Sequence, residues 1–600
     1  MSDIVHDDHP RTLTILFATE TGTAQEIADR VAMQCRRIHV QARILSMDSY
    51  SPAELISEKM VIFSVATTGS GKEPRAMSRL WNMLLRSDLP EDLFEDLSFA
   101  VFGLGDTAYE KFCWPAKLLS RRLASLGATE ISARGEGDEQ HPLGVDGAFE
   151  PWVKKLIESL VQIFPLPPGT STTPEDALPP PRVSVSKADP LEIEPPDQIL
   201  LGDETYASAI VSCNRRITAD DWYQDVRHFE FDFDIDIQYK PGDVALIHPE
   251  ASPADVEDVL NTLGFANAAD DPMTIRHVLE DQSLPNHLPR VTTLRTLFTR
   301  YLDISAVPRR SFFAMLRHFV SDKLEEEKLD EFLSPEGADE LYDYCQKPRR
   351  TIREVLEEFR SARIPREYIF DVFPTLRPRQ FSIASSMKAG AFFQRHPRQI
   401  HLCIAIVRYK TMLKVPRRGV CTDYLVHLKP GDRLPIGLQK GLFALPPDTA
   451  TPIICVGPGT GVAPMRSIIE ERTFLGSIAN TLYLGCRSAH KDQHYATEWE
   501  AYVVAGSLTY RPAFSRDEPE GAPRRYVQDL IREDSKRTWE LLGVQRGWIY
   551  ISGSANKMPA GVKAAIMHAA QIEGAKTEEQ AQDFVWMLER EGRLVEECWS

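Results

Sequence analysis

Cys455-Val456-Gly457-Pro458-Gly459-Thr460-Gly461-Val462-Ala463-Pro464 follows the apolar pair Ile453-Ile454 and leads into a helix-like segment that ends near Arg472. The pattern is a strand, a glycine-rich turn and a helix. Glycines let a ligand approach the backbone closely, and the helix N-terminus offers unpaired N–H groups and the positive end of its dipole. Together they predict a phosphate site. The spacing differs from the G-x-G-x-x-G of a Rossmann dinucleotide turn.

Working outward, 600 residues predict roughly three or four domains, each with its own core. The composition, 43% hydrophobic and 26% charged, is that of globular protein. A net charge of −18 argues against nucleic acid and fits docking to a basic patch on a partner, though it also serves solubility. The nine cysteines show no C-x-x-C pair and no histidine cluster at metal-ligand spacing accompanies them. They predict reduced thiols, no disulfide frame and no metal or iron–sulfur site. The first ten residues are acidic, unlike a targeting peptide, no run of about 18 apolar residues occurs, and Cys598 stands third from the end, outside a prenylation box. The expectation is a cytoplasmic protein without a membrane span, a monomer.

In residues 11–164, Leu13-Thr14-Ile15-Leu16-Phe17 reads as a buried strand followed by Ala18-Thr19-Glu20-Thr21-Gly22-Thr23-Ala24 and an amphipathic helix. Val61–Val65 leads into Ala66-Thr67-Thr68-Gly69-Ser70-Gly71. Phe99–Phe102 leads into Gly103-Leu104-Gly105-Asp106-Thr107-Ala108-Tyr109. Alternating strands and helices predict a parallel doubly wound sheet with ligand loops at the carboxyl ends of its strands. These three loops resemble the FMN site of the flavodoxin-like domain of diflavin reductases. The resemblance implies that Thr19, Glu20, Thr21, Gly22, Thr23 and Ala24 hold the phosphate. Thr67, Thr68, Gly69, Gly103, Leu104, Gly105, Asp106 and Asp138 line the flavin, and Tyr109 stacks on it. Thr68 stands where microsomal members carry a second stacking aromatic, and Lys72-Glu73 replaces an acidic continuation. One flavin face is therefore expected to be more open.

Gly137-Asp138-Glu139-Gln140-His141-Pro142-Leu143-Gly144 resembles the third FMN-side loop of one branch, the cytosolic NADPH-dependent diflavin oxidoreductases linked to iron–sulfur protein assembly. His141 itself is assigned no chemistry. Residues 165–200, rich in Pro, Ser, Thr and acid, predict a semi-extended linker on which the first domain swings.

Residues 201–447 begin with alternating runs such as His228-Phe229-Glu230-Phe231-Asp232-Phe233, which read as barrel strands. From about 254 to 363 the pattern is helical, with Thr351 and Glu354 spaced as a capping box. A helical insertion in an antiparallel barrel resembles the connecting domain of the diflavin family. Strands resume at Arg377-Pro378-Arg379-Gln380-Phe381-Ser382. There Arg379 can pair with the FAD pyrophosphate in a fork, Phe381 can cover the isoalloxazine and Ser382 can bond near its N5 edge. The family usually has Tyr where Phe381 stands, so the phenolic hydrogen bond is absent. Gln380 and Tyr409 belong to the same expected site. Gly419-Val420-Cys421-Thr422 resembles the second pyrophosphate turn.

In residues 448–600, the opening Gly-x-Gly-Thr-Gly-x-Ala-Pro turn resembles the NADP loop of the ferredoxin–NADP reductase superfamily, with Gly459, Thr460 and Gly461 at the pyrophosphate. Arg487, Ser515, Arg516, Arg524, Tyr526 and Gln528 match family positions around the 2′-phosphoadenosine, where a guanidinium fork suits the extra phosphate. Ser552-Gly553-Ser554 replaces a frequent Cys-Gly-Asp, so thiol assistance is not expected at that point. Glu597 and the near-terminal Trp599 resemble an acid and an indole that covers FAD until nicotinamide displaces it; a chain-end Trp can equally be a packing anchor.

The resemblance spans about residues 11–600 with motifs in family order. It implies an NADPH-dependent diflavin oxidoreductase using FAD, FMN and NADPH, with Ser382, Glu597 and Trp599 at the hydride-transfer step. The expected electron acceptor is a soluble, anamorsin-like protein of cytosolic iron–sulfur assembly. A soluble reductase for haem proteins and a flavodoxin-fold scaffold without turnover remain alternatives.

Overall fold

The computed structural model describes residues 11–69, 71–388, 398–519, 521 and 523–599. The acidic first ten residues, Ser70 of the second loop and Ser600 lie outside the described residues. The chain divides into two compact units: Met1–Glu194 with Ala251–Arg377, and Pro195–Glu250 with Pro378–Ser600.

In the first unit, a parallel sheet runs in the order Gln41–Ser46, Thr12–Ala18, Met60–Val65, Ser98–Gly105, Thr129–Glu130, and Gly135–Asp138 also pairs with Ser98–Gly105. The inner strands Thr12–Ala18, Met60–Val65 and Ser98–Gly105 are almost continuously buried because helices cover both faces. Thr23–Arg37 and Asp146–Ile163 pack on one side, Ser78–Leu84 and Trp114–Ser125 on the other. This is the expected doubly wound order, and the three ligand loops leave its carboxyl edge.

The insertion builds its own core around Phe298, Phe313, Phe332 and Phe370. Thr351 caps its helix as expected: the Glu354 N–H donates to Thr351 Oγ1 and the Thr351 N–H to the Glu354 carboxylate. The insertion also contains the strands Met273–His277 and Val291–Thr292, which a purely helical reading misses.

Those strands correct the tether as well. Val183–Lys187, inside the Pro-rich stretch, pairs antiparallel with Met273–His277. The alternation of Val183 and Val185 drives this pairing, hidden in sequence by the prolines around it. Arg182, just before it, donates to Asp29 at 3.1 Å and to Asp371 at 2.9 Å, and Asp29 also accepts from the Ser283 N–H at 3.0 Å. The flavodoxin-like helix, the linker and the insertion are thus bonded through a nearly buried ionic group. Arg182→Ala takes the counter-charge from the buried Asp29 and the half-buried Asp371 and is expected to cost about 3 kcal/mol of the first unit's stability. Thermal unfolding with limited proteolysis around residue 182 checks this; an unchanged melting curve refutes it.

In the second unit, an antiparallel sheet runs Arg379–Ser382, Val244–Ile247, Arg433–Gln439, Tyr206–Arg216, Val226–Phe233, Gln399–Ala405. A bridge from Ile383 to Leu402 joins the two ends, so the barrel is nearly closed. Against it stands a parallel five-stranded sheet, Thr509–Phe514, Asn480–Cys486, Ile453–Val456, Trp548–Ser554, Leu594–Trp599. Ile453–Val456 is the strand from which the order reverses, the place where such sheets bind ligands.

Candidate functional site

The Gly457–Gly461 turn leaves that central strand and opens the helix Val462–Phe474. Gly459 has φ +59° and open space where a side chain would point, a cradle for an approaching phosphate. Gly461 is required for a different reason. A Cβ there would overlap the Ser552 carbonyl oxygen and lie 2.6 Å from its carbon and 3.0 Å from the Gly553 Cα. The expected phosphate loop therefore rests directly on Ser552–Ser554, which form the end of the strand Trp548–Ser554 where a loop is expected from sequence.

From Ser552 the contacts continue. The last strand pairs with Trp548–Ser554 in register, placing Glu597 beside Ser552, Cys598 beside Gly553 and Trp599 beside Ser554. Ser382, from the barrel strand Arg379–Ser382, donates through Oγ to Glu597 Oε2 at 3.1 Å. Gly461, Ser552, Glu597 and Ser382 form one chain of neighbours drawn from distant parts of the sequence. Trp599 is 42% exposed at its end. A thiol does lie next to this strand end, that of Cys598, but it packs toward the core and burial pushes it up to about 12, so it stays protonated.

The same two layers are locked behind the site. Arg466, on the helix that begins at the phosphate loop, donates to the Ala384 carbonyl at 2.6 Å and pairs with Glu498 at 2.7 Å. Glu470, one turn on, accepts from the Ser386 N–H at 2.6 Å, and burial raises its carboxyl to about 7. Ala384 and Ser386 directly follow the expected FAD strand, so the segments expected to hold the two nucleotides are bonded to one another. His228, Glu230 and His401 come close enough nearby to suggest a metal cluster. The Arg466 guanidinium, 3.3 Å from His401 Nδ1, already brings a positive charge there. Hydrogen bonding accounts for the group.

On the barrel, Arg379 and Gln380 are exposed, while Phe381 and Ser382 are half-buried. Phe381 leans partly on the barrel core. Tyr409 is 44% exposed. Gly419 precedes the helix Val420–His427, so the expected turn is a helix N-terminus suited to pyrophosphate. The side chains of Cys421 and Thr422 are buried. Thr422 Oγ1 accepts from the Val407 N–H and donates to the Gly419 carbonyl, leaving these residues only backbone N–H groups for a ligand.

At the expected adenosine end, the Arg516 N–H donates to the Arg487 carbonyl at 2.8 Å and the Ser515 N–H to that of Cys486 at 3.0 Å, which brings both arginines together. Arg524 and Tyr526 are exposed, and Gln528 packs on Gly561. Residues not anticipated from sequence join them: the Arg487 guanidinium donates to the Gln224 side chain and lies over the Tyr223 ring.

At the flavodoxin-like loops, Thr19 Oγ1 accepts from the Gly22 N–H at 2.7 Å. Gly22 has φ +90°, and the Arg377 guanidinium fills the space of its missing Cβ, a neighbour the motif gives no hint of. Glu20 accepts from the Arg75 N–H, so its carboxylate ties two loops and its backbone alone remains for phosphate. Thr67 donates to the Leu104 carbonyl at 2.7 Å, while Thr68 Oγ1 is buried without a partner among the described residues, an orphaned hydroxyl that suits a bound ligand. Gly103 and Gly105 press on Ala116 and Cys113, so their lack of side chains serves helix packing. Asp138 accepts from Thr107 N–H and Oγ1, holding the Asp106–Tyr109 loop against the Gly135–Asp138 strand. Tyr109 is half-buried on that loop. His141 Nδ1 accepts from the Leu143 N–H at 3.1 Å, and its ring packs over Gly147.

The residues fit two flavins and a phosphorylated nicotinamide dinucleotide, and such cofactors carry the redox chemistry that no side chain here supplies. Comparison with known proteins agrees. A flavodoxin model matches residues 15–152, an FAD-binding domain model 203–424, and an oxidoreductase NAD-binding domain model 455–564. NADPH-dependent diflavin oxidoreductase 1 of Xenopus laevis is 39% identical over 98% of this chain and 100% of its own length. Its namesakes in Mus musculus and Schizosaccharomyces pombe are 38% and 35% identical, each over 98% of this chain and 99% of their own. The chain belongs to the NADPH-dependent diflavin oxidoreductases.

Proposed function

We propose that this enzyme passes electrons from NADPH to FAD, then to FMN, and from FMN to an anamorsin-like iron–sulfur protein of the cytosolic assembly machinery. The observation that carries the entry step is the contact chain Gly461–Ser552–Glu597–Ser382, which joins the NADP loop to the FAD strand. Along it the protein's part is positioning. Gly459 to Gly461 hold phosphate, Ser382 and Glu597 fix the reacting ends, and the exposed Trp599 indole guards the nicotinamide position. Trp599→Ala is expected to narrow the preference for NADPH over NADH roughly tenfold or more in kcat/KM, because the indole no longer has to be displaced by the better-held cofactor. An unchanged ratio removes that role.

For the exit step, the Gly137–Gly144 loop supports the iron–sulfur reading. Its Asp138 anchors the expected FMN loops and its His141-Pro142 tip is exposed beside them. Among the described residues no helix is long and apolar enough to cross a membrane, which agrees with an acceptor in the same compartment. The test is anaerobic. NADPH-reduced enzyme is mixed with a purified oxidised anamorsin-like protein, and the cluster's bleaching is followed. Reduction within a turnover is expected. Rapid reduction of cytochrome c with no bleaching of the iron–sulfur protein favours the haem-protein reading instead.

A further inference from the structure

We infer that Tyr223 is a selectivity-determining positioning residue for NADPH, acting through the two arginines placed at the 2′-phosphate. The inference rests on that assignment of Arg487 and Arg516. The Tyr223 ring centroid lies 5.2 Å from the Arg487 guanidinium carbon and 5.6 Å from that of Arg516, both within cation–π range. Two like charges brought together to grip a dianion repel each other before it arrives. One shared π-system offsets that repulsion and holds both forks in the bound arrangement, which lowers the ordering cost of binding. The ring is 63% exposed, Arg516 is exposed and Arg487 half-buried, so a phosphate can approach both guanidinium groups.

The loop that carries Tyr223 is built to stay in place. It joins the barrel strands Tyr206–Arg216 and Val226–Phe233. Arg216 donates to the Trp222 carbonyl at 2.6 Å and Thr218 Oγ1 to the Gln224 carbonyl at 2.9 Å, fixing the residues on either side of the ring. Trp222 packs against Tyr223 with centroids 4.9 Å apart. The loop is also fastened to the segment after Arg487. The Ala219 N–H donates to the Lys491 carbonyl at 2.9 Å, Asp221 pairs with the Lys491 ammonium, and Gln224 accepts from Arg487 itself. Asp492 accepts from the N–H groups of Arg487 and Ser488, which secures the other side. The barrel thus contributes to a phosphate pocket that the nucleotide-binding motifs alone leave incomplete.

The test compares holoenzyme carrying Tyr223→Ala, Tyr223→Phe or Arg516→Ala, using calorimetric binding of 2′,5′-ADP and of 5′-AMP together with KM and kcat for NADPH and NADH. Tyr223→Ala is expected to weaken 2′,5′-ADP about tenfold, from two lost cation–π contacts. It should raise KM for NADPH alike, leave kcat near wild type, and leave 5′-AMP and NADH unaffected. Tyr223→Phe, which keeps the ring, should match wild type. The inference is overturned if Tyr223→Ala binds 2′,5′-ADP normally while Arg516→Ala does not, if Tyr223→Phe behaves as Tyr223→Ala, or if NADH suffers equally. An Arg516→Ala variant with undiminished 2′,5′-ADP binding would instead overturn the phosphate assignment beneath it.

Discussion

Gly461→Ala is expected to slow NADPH-driven flavin reduction about a hundredfold or more while both flavins stay bound. Gly461 has φ −60°, so alanine is not strained there in itself. The cost is purely one of space. The new methyl would meet three backbone atoms of Ser552 and Gly553, and backbone cannot swing aside as a side chain can. Relief requires the phosphate loop and the nicotinamide-side strand end to part by about an ångström, and a misplacement of that size costs about a hundredfold in rate. Gly459→Ala is the informative contrast. It meets nothing within 4 Å but carries φ +59°, so it should cost only about 1–2 kcal/mol of strain, felt in NADPH binding. Anaerobic stopped-flow reduction at saturating NADPH separates the two. Equal, mild effects of both substitutions would mean that this contact is not important to hydride transfer.

Ser382→Ala is the second large expected effect. Its hydroxyl donates to Glu597, whose strand is held in register with Ser552. Without it the carboxylate loses the bond that orients it and the flavin edge loses a hydroxyl. A fall of about a hundredfold in the rate of flavin reduction is expected, the loss that reacting groups misplaced by about an ångström incur. FAD content should be unchanged, because the pyrophosphate is proposed to be held elsewhere, by Arg379 and the N-terminus of the Val420–His427 helix. Glu597→Gln should reproduce much of the loss, and the double variant should lose little more than either single one, as for residues that act as a unit. Fully additive losses would show that the two act separately.

Glycine turns after apolar runs, hydroxyl-rich strand ends and arginines following strands are local signals, and the three cofactor-binding domains that the family models match are legible from them, in order, in the sequence. What stays hidden there depends on packing across long sequence distances. Tyr223 and Gln224 sit in a barrel hairpin; Gln224 reaches an arginine 263 positions away, and nothing in their own neighbourhood marks them. Val183 and Val185 sit among prolines, so their strand reads as tether. Cys598 escapes a search for a thiol within Ser552–Ser554, because it is the adjacent strand that brings one alongside. In the other direction, Glu20 and Thr422 carry motif positions, yet their side chains are committed to the protein's own backbone.

In the proposed relay, electrons enter at FAD and leave only through FMN. Its most direct test is anaerobic stopped-flow mixing of NADPH with enzyme depleted of FMN but retaining FAD, in the presence of cytochrome c as a one-electron acceptor. FAD is expected to be reduced at the rate seen in intact enzyme, while cytochrome reduction all but disappears and added FMN restores it. Cytochrome reduction at the intact rate without FMN would contradict the relay.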